Sequence, residues 1–167
     1  NMLDAAGVNI PTTFDELLTT GKKLKTGDVS GVAMRSKPDG SAGTWPAGGF
    51  VFSNGGVIMQ DGKCVLDSAE AIEAVHYYGR ILQEAGPLGV GNYHWYECLN
   101  DFMQETTAIG LDSSNFSGDI ENPEKSNAAG HTTYGGMVSG PGKQAKPNMW
   151  HWLAGINSKS ANKAAAF

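Results

Sequence analysis

Asp112 stands directly after a short apolar run, Thr106-Thr107-Ala108-Ile109-Gly110-Leu111, and opens the polar loop Ser113-Ser114-Asn115-Phe116. A carboxylate in that place can accept two hydroxyls, and an ionised acceptor makes the stronger hydrogen bonds. It can equally cap the turn that follows it. Asn115 offers both a donor and an acceptor. Arg35 holds the corresponding place after a second apolar run, Gly31-Val32-Ala33-Met34, where its guanidinium can fork onto hydroxyls or a carboxylate, or close a surface ion pair. Trp45, Trp150 and Trp152 carry flat apolar faces, each either a platform for a ligand ring or a core residue. Trp150 and Trp152 lie two apart and so share one face of an extended segment. Together these residues offer the chemistry of reversible recognition: acceptors, donors and aromatic faces.

Signals for other chemistries are missing. There is no Gly-x-Ser-x-Gly, P-loop or dinucleotide fingerprint, and Gly48-Gly49 and Gly55-Gly56 lack the spacing and the following Lys-Ser/Thr. His76, His94, His131 and His151 neither cluster nor pair with cysteine at metal spacing, so no metal and no cofactor is implied. Cys64 and Cys98 can be free or bonded to each other. A glycosidase would need a second carboxylate to partner Asp112. Glu97, Asp101 and Glu105 precede it on a helical pattern and read as a solvated face.

The elements that must position these residues follow from periodicity. Residues 93–105 are helix-like, with Trp95, Leu99, Phe102 and Met103 on one face. Residues 106–112 suit a strand buried on both faces, as parallel sheets have. Ligands of open α/β sheets bind beyond the carboxyl ends of strands, where Asp112 and Arg35 fall. Ala5-Ala6-Gly7 ends a helix. Thr13-Phe14-Asp15-Glu16 is a capping box opening a helix to about Lys25, with Phe14, Leu17, Leu18 and Leu24 on its apolar side. Pro46 suits the first turn of a helix through Phe52. Asp61-Gly62 between apolar runs predicts a hairpin over 57–66. Asp67 and Ser68 cap a helix to about Glu84 whose inner stripe is Ile72, Val75, Tyr78 (or Gly79) and Leu82. Strands are expected over 132–138 and 149–156, and a last helix after Asn157-Ser158-Lys159-Ser160. The order is that of a layered α/β domain spanning 1–167.

Composition agrees. Apolar residues make up 40%, enough for an ordinary core, while few charges and 23 glycines fit a compact chain with tight connections rather than a disordered one. A net charge of −5 with scattered lysines gives no footprint for nucleic acid or an anionic membrane. No apolar run reaches the roughly 18 residues of a membrane span. The first residues carry no signal-peptide pattern and read as already inside a folding unit, and the last ones as a cut helix, so the expectation is a piece of a longer protein.

Ala5-Ala6-Gly7-Val8 with Pro11-Thr12-Thr13-Phe14-Asp15-Glu16-Leu17 resembles a segment of the family 1 extracellular solute-binding proteins, the substrate receptors of bacterial ABC importers for sugars. Matches continue in order at Asn54-Gly55-Gly56, Asp67-Ser68-Ala69-Glu70-Ala71-Ile72, Gly86-Pro87-Leu88-Gly89-Val90, Asn92-Tyr93 with Trp95, Asn100-Asp101-Phe102, Gly140-Pro141-Gly142, Trp152 with Gly155-Ile156, and Ser160 with Asn162-Lys163. The pattern around Gly86 and Trp152 is similar to the sorbitol/mannitol subgroup. One departure stands out: the family has Gly-Lys between the phenylalanine helix and its strand, and here Gln104-Glu105-Thr106 stands there.

The resemblance implies a periplasmic-binding-protein type II lobe, a three-layer α/β/α unit with a short edge hairpin, and specifically the second of two lobes. It implies a non-catalytic sugar or polyol receptor in the periplasm or outside the cell, with the ligand, the first lobe of the same receptor and the importer's membrane subunits as partners. On this reading Trp45, Trp150 and Trp152 cover the C–H patch of a sugar, and Asp112, Asn115 and Arg35 take its hydroxyls. Two other readings stay open on the residues alone: a carbohydrate-active enzyme domain, and a lobe that binds only a protein partner.

Overall fold

The structure, a computed structural model, describes residues 2–40, 42–149, 151 and 153–166. Trp150 and Trp152 therefore lie outside the described residues.

Helix α1 (Met2–Ala6) ends where Gly7 turns left-handed at φ 62°. Gly7 N–H returns to the Asp4 carbonyl and Val8 N–H to the Leu3 carbonyl, satisfying two carbonyls that the helix end leaves free. The capping box opens α2 (Phe14–Leu24): Glu16 N–H donates to the Thr13 hydroxyl at 3.2 Å, and the Glu16 carboxylate accepts from Thr13 N–H at 3.2 Å and from Thr12 N–H at 2.7 Å. Phe14, Leu17, Leu18 and Leu24 are buried, as their spacing predicts.

Strand β1 (Ser30–Ala33) is buried at every residue, so both its faces are covered. Its approach to α2 is set by two glycines: a Cβ on Gly31 would sit 1.9 Å from the Gly21 carbonyl oxygen. Helix α3 (Thr44–Ser53) inserts Phe50 and Val51 into the core. Phe50 stacks on Phe14 at 4.6 Å between ring centroids and meets Tyr78 edge-on at 5.5 Å.

Strands β2 (Met59–Gln60) and β3 (Lys63–Cys64) form the expected hairpin, with Asp61 at φ 50° and Gly62 at φ 76°, the pair of positive angles that an Asp-Gly turn of the primed type requires. The hairpin is shorter than 57–66, fully exposed, and forms a sheet of its own. Cys64 on it is exposed and Cys98 is buried, and both are free thiols.

Helix α4 (Ala69–Ala85) begins at Ser68, whose hydroxyl accepts from Ala71 N–H. Its buried stripe is Ala71, Ala74, Tyr78, Ile81 and Ala85. Of the expected stripe Ile72, Val75, Tyr78 (or Gly79) and Leu82, Tyr78 is buried and Leu82 packs partly buried against the core, while Ile72 and Val75 stand exposed, which corrects the expected face. The bulky rings come from α2 and α3, so α4 offers its small alanines to them and Tyr78 fills the remaining gap; close packing selects shape over hydrophobicity.

Helix α5 (Trp95–Met103) buries Cys98 and Leu99 and leads to strand β4 (Thr107–Gly110). β4 pairs in parallel with β1, Ser30 opposite Thr107, Val32 opposite Ile109, and Ala33 opposite Gly110. Of β4 only Thr107 is buried, a correction to the strand expected to be covered on both faces. Among the described residues its outer edge pairs with no strand. The turn before it places Glu105 at φ 58°, left-handed for a residue with a side chain.

The short helix α6 (Ser117–Ile120) closes the regular part. The strand expected over 132–138 is not a ladder strand: among the described residues the bridge here is Ser139 beside Thr13, while Val138 is buried in the core and the Tyr134 hydroxyl donates to the Glu121 carboxylate. The expected strand over 149–156 shows no strand at its described residues, and the last helix reduces to a 3-10 turn, Lys163–Ala166. Alternating residues make a strand only where another strand supplies the ladder's partners, and none lies beside these segments among the described residues.

Candidate ligand-binding site

The parallel register brings two side chains together. Ala33 faces Gly110, so the residues two positions further on, Arg35 and Asp112, leave the two strand ends side by side and on one face. The guanidinium forks onto the carboxylate, Nε to Oδ2 at 2.8 Å and Nη2 to Oδ1 at 2.5 Å. Oδ1 also accepts from Ser113 N–H at 2.6 Å. The side chains are 16% and 12% exposed, so this is a half-buried pair and not the surface salt bridge one reading of Arg35 offered. Besides holding Arg35, Asp112 accepts from the adjacent Ser113 N–H, while the 3-10 turn that follows, Ser114–Phe116, has Ser113 at its N-cap and no side-chain cap hydrogen bond.

Arg35 is fixed from two further directions. The Tyr78 hydroxyl donates to its carbonyl, and burial pushes that phenol well above its ordinary range. Its Cζ lies 4.9 Å from the centroid of the Trp45 ring, a cation–π contact. Trp45 is half-buried, and its carbonyl accepts from the Asn148 side-chain amide. The loop between Arg35 and Trp45 is tied to the start of α5: Ser36 and Lys37 N–H both donate to the Tyr93 carbonyl at 2.9 Å, and His94 Nε2 lies 3.5 Å from the Asp39 carboxylate. Cys98 packs nearby, its thiol pushed up to about 12 by burial, with the Asp112 charge adding to the effect.

A cleft of about 800 Å³ runs along β4 and ends at this cluster, where Trp45, Asp112, Ser113, Ser114, Phe116 and Asn148 form its wall. Asn115 stands exposed in the 3-10 turn Ser114–Phe116, apart from that wall. The structure thus joins Trp45, Arg35 and Asp112 and sets Asn115 apart; Trp150 and Trp152 lie outside the described residues. Sequence reasoning missed Phe116 as a wall residue and put Trp95 on the inner helix face. Trp95 is 39% exposed and stacks on Phe116 at 5.6 Å with the planes 16° apart. Its place in the first turn of α5, right after the loop tether at Tyr93 and His94, is the signal that would have pointed it toward the strand ends. Among the described residues no group of three or more His, Cys, Asp and Glu is placed to hold a metal, and no helix is long and apolar enough to cross a membrane.

Residues 1–167 match the family described as bacterial extracellular solute-binding protein. Among solved structures, the chain is similar to an ABC transporter solute-binding protein from Agrobacterium radiobacter K84 in complex with ribitol, at 26% identity over 87% of this chain and 37% of that one, with a TM-score of 0.80. It is also similar to maltose-bound MalE3 of T. maritima (21% identity, 86% and 38%, TM-score 0.78) and to a solute-binding protein from Agrobacterium vitis S4 with bound D-mannitol (20%, 77% and 32%, TM-score 0.73). These likenesses show the type II periplasmic-binding-protein fold, of which the chain is a mixed helix and strand part. The chain spans about a third of the length of these relatives. No curated protein matches it.

Proposed function

The chain belongs to the family of bacterial extracellular solute-binding proteins, and from that premise we propose that it is one lobe, the second, of the sugar or polyol receptor of a bacterial ABC importer. The family binds solutes and does not transform them. The observation that carries the ligand class is the cluster at the cleft end: an indole, a carboxylate and a guanidinium locked in place before any ligand arrives. A polyhydroxylated ligand needs that combination. Its C–H face covers an aromatic ring while its hydroxyls pair with fixed donors and acceptors. The relatives with ribitol and mannitol bound support a polyol.

Binding of this kind works by closure. A ligand held between two lobes loses most of its exposed surface, and the closed form is what the importer's membrane subunits engage. One lobe alone supplies part of the contacts against the full cost of immobilising the ligand, so this chain binds weakly. The receptor works outside the cytoplasmic membrane, as the family's extracellular character suggests.

The test is an amide-resolved NMR titration of the chain with ribitol, mannitol and maltose to high millimolar concentration. The expected result is a saturable shift of the Trp45 indole N–H and the Ser113 amide with at least one of them. No shift at either group with any of the three overturns the proposal.

A further inference from the structure

Among the described residues that line the cleft, the carboxylates are Asp112 and Glu105; His131 and His151 also line it, and no lysine or arginine joins them. Beside the cleft wall stands Arg35, which is engaged by Asp112 through both carboxylate oxygens. Asp112 thus presents a carboxylate to the ligand and holds Arg35 behind it. We infer that Asp112 is a specificity-determining residue that excludes carboxylated sugars: it neutralises Arg35 and sets a negative charge where a ligand's own carboxylate would lie. The inference rests on the polyol-receptor reading and names the charge class of the ligand that the site accepts.

The hydrogen-bond inventory supports it. A carboxylate has about four acceptor sites, and Arg35 Nε, Arg35 Nη2 and Ser113 N–H take three of them. What remains is an acceptor for one ligand hydroxyl, and an acceptor has nothing to offer an anion. A ligand carboxylate here would meet a like charge at hydrogen-bond distance in a half-buried place, where repulsion is weakly screened. Specificity of this kind comes from the repulsive element as much as from the attractive one. Removing the Asp112 charge while keeping its shape reverses the situation. Arg35 is left unpaired one side chain behind the cleft wall, and a guanidinium is a bidentate partner for a carboxylate.

The test compares three ligands of one carbon skeleton by NMR titration: ribitol, ribonate (which carries a carboxylate) and 1-amino-1-deoxyribitol (which carries an ammonium). The chain as it stands prefers ribitol over ribonate by at least about tenfold. In Asp112→Asn that preference inverts, and in the double variant Arg35→Gln/Asp112→Asn the gain in ribonate binding disappears. Arg35→Gln alone leaves the Asp112 carboxylate unpaired, so it keeps rejecting ribonate and gains affinity for the aminopolyol; this variant decides the matter if Asp112→Asn does not fold. An Asp112→Asn chain with unchanged preference, an Arg35→Gln chain with no gain for the aminopolyol, or an unmodified chain that binds ribonate as well as ribitol overturns the inference and leaves the receptor reading standing. Absence of any response to all three ligands in the unmodified chain overturns both.

Discussion

Arg35 and Asp112 stand 77 positions apart in the chain and meet as a two-pronged ion pair because β1 and β4 run parallel with Ala33 opposite Gly110. The pair closes the ends of the two strands on the side where the cleft opens. It also holds the guanidinium over the Trp45 ring, Cζ 4.9 Å from the centroid, so one salt bridge joins an acceptor and an aromatic face.

Breaking the pair from one side leaves the other charge half-buried without a partner. Arg35→Ala is expected to cost about 2–4 kcal/mol of folding free energy, since removing one member of a buried pair costs more than the pair itself contributes. Replacing both, as Arg35→Met with Asp112→Leu, costs less than the single change. Urea unfolding of the three chains gives the comparison, and a double variant weaker than Arg35→Ala contradicts it.

The thiols separate cleanly. Cys64 is exposed and is expected to react at once with an alkylating reagent in the native state. Cys98 is 2% exposed and its thiol is pushed up to about 12, so it stays protonated and shielded until the protein unfolds. The sign of the pH effect follows. The folded thiol titrates above the 9.0 of a free one, so its contribution to stability is whole below 9.0 and is lost as pH rises from there toward about 12. Mass spectrometry after timed labelling checks the first point, and two fast thiols refute it.

Glu105 at φ 58° occupies a left-handed conformation that glycine adopts without cost. Glu105→Gly is expected to stabilise the protein by about 0.5–1 kcal/mol, whereas Glu105→Ala, which keeps a Cβ, gives no such gain. Thermal melts of both variants decide it. Equal melting points for the two would show that the backbone angle is not the source of strain.

Acid sensitivity traces to caps. The Glu16 carboxyl is held below its ordinary 4.5, first by the Thr12 N–H, then by the Thr12 hydroxyl and by Thr13. A depressed carboxyl contributes stability that is present above 4.5 and lost as pH falls through its folded value. Glu16→Gln is therefore expected to flatten the acid limb of a melting-temperature profile and to leave the neutral limb in place apart from a small uniform loss. An unchanged acid limb would assign that sensitivity to other groups, of which Glu97, held low by backbone N–H groups at the start of α5, is the next.

Local chemistry was readable without a structure wherever neighbours in sequence do the work. Thr13 and Glu16 cap a helix they both belong to, Gly7 stops one, and Asp61-Gly62 turns a hairpin, because each needs only residues a few positions away. The placing of Arg35 and Asp112 at strand ends was readable for the same reason: a short apolar run followed by a polar loop marks a carboxyl end. The departure at Gln104-Glu105-Thr106 marked a turn where a side chain had replaced a glycine, and Glu105 carries the positive φ there. Tertiary structure alone decided the rest. That Arg35 engages Asp112, with Trp45 beneath the guanidinium, depends on which strands pair and in what register, and nothing within either segment encodes the other's position. The buried face of α4 was set by the rings of Phe14 and Phe50 across from it, which want alanines rather than the bulkier Ile72 and Val75. Residues 132–138 read as a strand in sequence, but a strand exists only through hydrogen bonds to another, and among the described residues the bridge at this place is Ser139 beside Thr13, just past the segment.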